Sequence, residues 1–315
     1  LLKENWETED EGSFKDLLSA LTFIHNPPTE TSLELLSLGQ HPAQRKLIKE
    51  ELVAHILCSG MLKRETELRK SPLMQLASTH EDIFIDSLGF VLTNAQTRVW
   101  NEIKQDFNKE TPMRRLLQGD VGSGKTVIAA LATLQASHND LQTAFMCPTE
   151  ILAEQHYENL TKWFVVLGIK VDLLLGSTKA KDRKRILEDL QTGKTQVLIG
   201  THALFQKDVV FKSVGLTIID EQHRFGVHQR FTLLEKGGDE EKSPHQLIMT
   251  ATPIPRTLSM TVYGALDTSL IDELPPGRRP VETTSRPNSM RNKVIKRVEE
   301  VCLEGQRVYW VCTLI

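Results

Sequence analysis

The sequence predicts an α/β fold, a parallel sheet covered by helices on both faces, and three observations carry that prediction. After Phe90, short apolar strands alternate with helices, the pattern of a sheet buried on both sides. A glycine-rich run, Gly119-Asp-Val-Gly-Ser-Gly-Lys-Thr126, falls between a short apolar strand ending in Leu116 and Leu117 and a helix over Val127 to Ala136. A second apolar strand, Leu216-Thr-Ile-Ile219, leads into two adjacent carboxylates, Asp220 and Glu221. In open sheets of this kind ligands gather at the carboxyl ends of the strands.

The chain from Thr31 to about Lys70 reads as helical. Leu33, Leu35 and Leu36 form a short segment, and Pro42 opens a longer one in which Leu47, Ile48, Leu52, Ile56 and Leu57 recur at three- and four-residue spacing. That spacing predicts an amphipathic helix packed on a partner surface. Lys63, Arg64, Arg69 and Lys70 cluster at its end, as a solvated, dipole-complementing face or a DNA contact. Ser71 to Asp82 lacks periodicity and is expected to be a linker. Strands are then predicted at Thr143 to Cys147, Val171 to Leu175, Gln196 to Ile199, Leu216 to Ile219 and Gln246 to Met249, with helices at Ile151 to Val166 and Ala180 to Leu190. Lys236 to Pro244 is polar and glycine-bearing, a surface loop. The prolines of Leu274-Pro-Pro-Gly-Arg-Arg-Pro280 mark a domain boundary, followed by a strand, a helix over Arg291 to Leu303, and a buried strand at Arg307-Val-Tyr-Trp-Val-Cys312. The expected division is therefore 1–88, a helical region and linker; 89–274, the main α/β domain; and 275–315, a linker and the start of another domain.

The glycine-rich run has the chemistry of a phosphate cradle. Gly119, Gly122 and Gly124 are expected to take positive φ and bring the backbone close to an anion, with Asp120, Val121 and Ser123 completing the loop. Lys125 supplies a mobile positive charge for the β- and γ-phosphates, and Thr126 a hydroxyl for Mg2+, which prefers oxygen ligands. Asp220 is placed to hold the magnesium and Glu221 to orient and deprotonate an attacking water. His223 and His228 lack a third ligand nearby, so His223 is expected to couple neighbouring motifs polarly rather than bind metal. These residues point to a bound nucleoside triphosphate.

Composition agrees with a globular protein: 315 residues, 40% hydrophobic and 25% charged, long enough for more than one core. The net charge of −3 leaves any nucleic-acid contact to local basic clusters. No apolar run nears the roughly 18 residues that span a bilayer, and the N-terminus has no signal-peptide pattern, so a cytoplasmic location without a membrane partner is expected. Cys58, Cys147, Cys302 and Cys312 are widely spaced, which predicts reduced core thiols. The start without methionine and the stop just after an apolar strand pattern suggest a piece of a longer protein.

The cradle and the Asp-Glu-Gln-His run resemble superfamily 2 helicases. Longer runs narrow the resemblance to the RecG family of bacterial ATP-dependent DNA translocases: Arg224-Phe-Gly-Val-His-Gln-Arg230, Thr250-Ala-Thr-Pro-Ile-Pro-Arg-Thr-Leu258, Gly264-Ala-Leu-Asp-Thr-Ser-Leu270, Leu274 to Pro280, and the helical stretch around Leu33 to Ala54. The resemblance implies a RecA-like motor domain preceded by a helical region and followed by a truncated second RecA-like domain. It implies that Gln96, in Leu92-Thr-Asn-Ala-Gln96, bonds the adenine edge, a role compatible with a helix cap at Thr93 or Asn94. Pro148 to Gln155 and Ile199 to Leu204 are similar to the family's DNA-facing motifs, with Thr149, Thr201 and His202 as candidates for backbone contact; as residues alone, each threonine also reads as a helix cap. Thr250 and Thr252 would link the nucleotide site to DNA. The implied activity is ATP-driven remodelling of branched duplex DNA, at forks and Holliday junctions, by a monomer. Because the family's wedge domain and the second domain's arginines would lie outside the chain, this piece is expected to bind nucleotide and hydrolyse it poorly. A transcription-repair coupling translocase, a DNA-independent phosphate-loop ATPase and a non-catalytic nucleotide-binding module are the other readings of the same residues.

Overall fold

The computed structural model describes residues 16–75, 78–221, 243–251, 266–273 and 281–311, without the side chains of 59, 62, 63, 65–67 and 78. The chain divides into two compact units, Leu1–Pro275 and Pro276–Ile315. In the first, α1 (Leu17–His25), α2 (Leu33–Ser37), α3 (Pro42–Glu67), α4 (Ser78–Ser87) and α5 (Asn94–Phe107) precede an alternating stretch. That stretch runs β1 (Arg114–Gly119), α6 (Lys125–His138), β2 (Gln142–Met146), α7 (Glu150–Phe164), β3 (Val171–Leu174), α8 (Ala180–Thr192) and β4 (Val197–Gly200). Strands β5 (Val214–Asp220), β6 (His245–Thr250) and β7 (Asp267–Ile271) complete a seven-stranded, wholly parallel sheet in the order β3-β4-β2-β5-β6-β1-β7.

Alternation along the strands builds two cores. Leu117, Phe145, Ile199 and Ile218 face α5, α6 and α7 with Val99, Ile103, Ile128, Leu131 and Leu160, while Leu116, Ala144, Leu198 and Ile219 face the opposite side with Ile186, Leu190 and Phe211. Every residue of β2, β4, β5 and β6 is buried, which is why these strands read as apolar runs. β7 has no such run: only Ser269 and Ile271 are buried, and its partner β1 supplies the ladder. Sequence pattern therefore missed it, since an edge strand with one covered face carries few apolar residues.

The segment Ser71 to Asp82 is not a linker. The Ser71 N–H donates to the Glu110 carbonyl (2.7 Å), the Met74 N–H to the Phe107 carbonyl (3.1 Å), and Met74 is fully buried. α4 begins at Ser78 and inserts Phe84 into the core, edge-on to Trp163 and tilted against Phe164. The aromatic that anchors this helix lies beyond Asp82, so Ser71 to Asp82 itself carries no periodic trace of it. Conversely, α3 starts at Pro42 as its spacing predicts, yet Ile48, Leu52, Ile56 and Leu57 stay exposed among the described residues. Periodicity identifies an apolar face and not what covers it.

In the second unit, α9 (Arg291–Leu303) has the predicted bounds. The strands expected on either side of it are absent from the described residues 281–290 and 304–311, where Tyr309 and Val311 are exposed and no ladder forms. A strand requires a hydrogen-bonded neighbour, and apolar alternation alone supplies none. Of the cysteines, Cys147 is buried as expected, whereas Cys58 and Cys302 lie on exposed helix positions; Cys312 lies outside the described residues.

His245 fastens the Ser71 segment to the sheet. Its Nδ1 accepts from the Met113 N–H (3.0 Å), so Nε2 carries the proton and donates to the Pro72 carbonyl (2.8 Å), with the Ser71 hydroxyl 3.0 Å away. Burial pushes its pKa down to about 4, the Pro72 carbonyl and Asp106 opposing the shift. The folded state thus favours neutral His245, and its contribution is present above the unfolded pKa near 6.5 and lost as pH falls toward 4. His245→Asn keeps an acceptor near Nδ1 but cannot titrate. The stability difference between wild type and this variant, from denaturant melts, should narrow by about 2 kcal/mol between roughly pH 7 and 5; a constant difference would contradict the assignment.

Candidate functional site

The carboxyl ends of β5, β6 and β1 lie side by side because their registers pair Asp220 with Met249 and Gln118 with Thr250. The glycine-rich loop leaves β1 at this edge and enters α6 at Lys125. Gly122 (φ 78°) and Gly124 (φ 93°) take the predicted left-handed backbone. Gly119 does not, which corrects the expectation for it; a Cβ there would run into Ser123 Oγ and the Ile271 side chain and carbonyl. Its role is close packing. Asp120 and Val121 are exposed at the loop tip. Ser123 is 1% exposed, with its hydroxyl unpartnered among the described residues.

Lys125 Nζ donates to the Gly119 carbonyl (2.6 Å) and the Asp120 carbonyl (2.9 Å), placing the ammonium beside the loop it would share with phosphates. Burial lowers its pKa, while Asp220, Glu221 and Asp120 pull it back up, so the lysine and both carboxylates share one electrostatic field. Thr126, half-buried, follows in the first turn of α6.

Asp220 ends β5 with 8% exposure, and its Oδ2 lies 2.9 Å from Nε2 of His156 on α7. Glu221 follows in the left-handed region (φ 50°), unusual for a residue with a Cβ. Three bonds hold it there: its N–H donates to the Met249 carbonyl (2.9 Å), and its carboxylate accepts from the Ala251 N–H (3.0 Å) and the Thr250 hydroxyl (3.4 Å). The end of β6 thereby fixes the orientation of Glu221. Burial first, then the nearby Asp220 charge, raises the Cys147 pKa well above its ordinary value, so this thiol is inert.

Gln96 is 3% exposed and ties α5 to the loop. Its Oε1 accepts from the Thr93 N–H (2.9 Å), completing a capping box, and its Nε2 donates to the Ser123 carbonyl (2.8 Å). The helix cap falls on Thr93 rather than Asn94. Sequence reasoning missed two partners of α5 beyond β7: Glu273 accepts from the Ala95 N–H (3.0 Å), and Asp272 with the Leu270 carbonyl receives Arg98, each at 2.8 Å. No motif marks these residues, since what matters is where β7 delivers them.

The candidate backbone-contact residues sit further along the same edge, at the ends of neighbouring strands β2 and β4. Thr149 caps α7, accepting from the Leu152 N–H (3.4 Å). Thr201 is 3% exposed, with its hydroxyl unpartnered among the described residues, and makes no cap bond, whereas the adjacent His202 is exposed. Ser177 and Lys179, exposed after β3, extend this row. His223, Thr252 and His228, with residues 236–242 of the expected surface loop and the boundary at 274–280, lie outside the described residues; the loop's last two residues, Ser243 and Pro244, are buried rather than on the surface, the Ser243 N–H donating to the Lys70 carbonyl.

A sequence profile described as DEAD/DEAH box helicase matches residues 93–261, just over half of the chain. The chain belongs to the DEAD/DEAH box helicase family. Within that family it is 53% identical over 300 residues to the ATP-dependent DNA helicase RecG of Pasteurella multocida, and 51% identical to that of Escherichia coli K12; each match covers 95% of this chain and 43% of the relative. The structure of RecG bound to a three-way DNA junction superposes with a TM-score of 0.75 at 43% identity, covering 84% of this chain and 35% of that one. The chain thus spans less than half the length of these helicases. The profile starts at Thr93, the cap that Gln96 completes.

Gly124→Ala tests the loop. It forces a Cβ into a left-handed position and against the Gln96 amide, and should destabilise the chain by about 2 kcal/mol or more in thermal melts. Adding Gln96→Ala relieves the clash but not the backbone, so part of the loss should return; no return would mean the two do not meet.

Proposed function

We propose that the chain is the nucleotide-binding part of an ATP-dependent duplex DNA translocase acting on branched DNA, such as forks and Holliday junctions, with 89–274 as its first motor domain and 275–315 leading into a second. The observation that carries this reading is the convergence, on one sheet edge, of the Gly119–Thr126 cradle, Asp220 and Glu221, and the Thr250–Ala251 strand end. Likeness to RecG over nearly the whole chain supports the branched-DNA substrate. The cytoplasm is the compartment this reading implies.

The donor set suits magnesium. Asp220 offers a hard carboxylate oxygen within the electrostatic reach of Lys125, and Thr126 a hydroxyl one residue further into α6. Magnesium takes one or two protein oxygens and completes its shell with phosphates and water, a demand these two groups match. Bound with the nucleotide, magnesium neutralises charge developing on the phosphates. Lys125 exchanges its two loop carbonyls for phosphate oxygens. Glu221, held by Thr250 and Ala251, accepts a proton from the attacking water. Gln96 reads the adenine edge, for which its amide, bonded once through Oε1 and once through Nε2, has a second lone pair and a second N–H.

For DNA, Thr149 still has a hydroxyl proton to give while its oxygen caps α7, and His202, after the neighbouring strand β4, is exposed, so both suit phosphate oxygens. Thr201 contributes backbone and packing instead.

Lys125→Ala should abolish tight binding of a fluorescent ATP analogue, while Glu221→Gln should leave binding within a few-fold and remove phosphate release; equal loss of binding in both would contradict these roles. His202→Ala should weaken binding to a three-way junction and a linear duplex alike, by roughly 3- to 10-fold in fluorescence anisotropy. A loss confined to one DNA form would argue against a backbone contact.

A further inference from the structure

The buried face of α7 is a stripe of Ala153, His156, Leu160 and Phe164. Three of the four are what helix packing demands, and the fourth is a histidine. His156 is 8% exposed, leans on the Phe145 ring at 4.8 Å, and has an Nδ1 with no hydrogen-bond partner among the described residues. Its polar contact is Nε2 to Asp220 Oδ2 at 2.9 Å. A carboxylate only accepts, so Nε2 carries a proton, and Nδ1 is left buried with nothing among the described residues to bond. A leucine would fill the same space without burying an unsatisfied nitrogen, so packing does not account for the imidazole.

We propose that His156 is a positioning residue that ties the Asp220 carboxylate to α7, making that helix the mechanical link between the phosphate-contact end at Thr149 and the metal-holding carboxylate. Thr149 caps α7 and His156 lies seven residues on, about 10 Å along the same rigid helix. A shift of α7 at its capped end therefore moves the group that orients Asp220. The contact of Thr250 and Ala251 with Glu221 does the same for the neighbouring carboxylate from the other side. Asp220 and Glu221 are thus steered by different elements, α7 and the end of β6. The inference rests on the proposed reading of Asp220 as a magnesium ligand.

His156→Gln retains an N–H near the Nε2 position, and His156→Leu keeps the volume and removes the donor. In the protein that carries this chain, with ADP present, Mn2+ affinity by electron paramagnetic resonance should fall about 10-fold in the leucine variant and recover to within a few-fold in the glutamine variant. Stimulation of ATP hydrolysis by forked DNA should fall in parallel in the leucine variant. Unchanged Mn2+ affinity in the leucine variant would overturn the proposal, as would equal losses in both variants accompanied by equal drops in melting temperature. A wild-type protein indifferent to DNA would instead remove the translocase reading, leaving the Mn2+ comparison to judge His156 and Asp220.

Discussion

Parallel pairing of β5, β6 and β1 in a single register is the constraint on which the rest depends. It sets Asp220 against Met249 and Gln118 against Thr250, so three strands release their chains at one edge. A one-residue slip in any of these ladders would turn its side chains to the other face and separate the cradle from the carboxylates. The two cores guard the register, because each strand buries alternate residues in opposite layers.

Around this edge, the groups that would handle nucleotide are held by elements other than their own. Glu221 keeps a left-handed backbone because Met249, Thr250 and Ala251 bond it. Strain of this kind persists only where surroundings over-determine it. Gln96 holds the loop from α5, and α5 is bonded in turn to Leu270, Asp272 and Glu273 at the end of β7. The cradle is therefore connected through one helix to the segment that leads toward Pro275, and the carboxylate pair through α7 and β6 to the rest of the edge. Such cross-bracing gives a nucleotide site several routes by which to be biased.

Much of this was legible in the sequence because parallel sheets buried on both faces write themselves as apolar runs, and because a phosphate cradle needs small residues at fixed spacing. Gly122, Gly124, Lys125, Asp220 and Glu221 stand where their pattern put them. Three things were not legible. β7 lies at an edge and carries too few apolar residues to announce itself. The Ser71 segment is held by backbone bonds and by His245, which leave no periodic trace. His156 and Glu273 gain their roles from tertiary neighbours distant in sequence, which spacing along one element cannot reveal.

The central claim is that nucleotide turnover at this edge is coupled to branched DNA. Its most direct test is the rate of ATP hydrolysis, with magnesium, by the protein carrying this chain, measured on forked duplex, linear duplex and no DNA. Strong stimulation that favours the fork is the result predicted, with Thr149, His202 and α7 relaying contact to Asp220. A rate indifferent to every DNA would contradict the coupling and leave an ATPase whose sheet edge serves some other work.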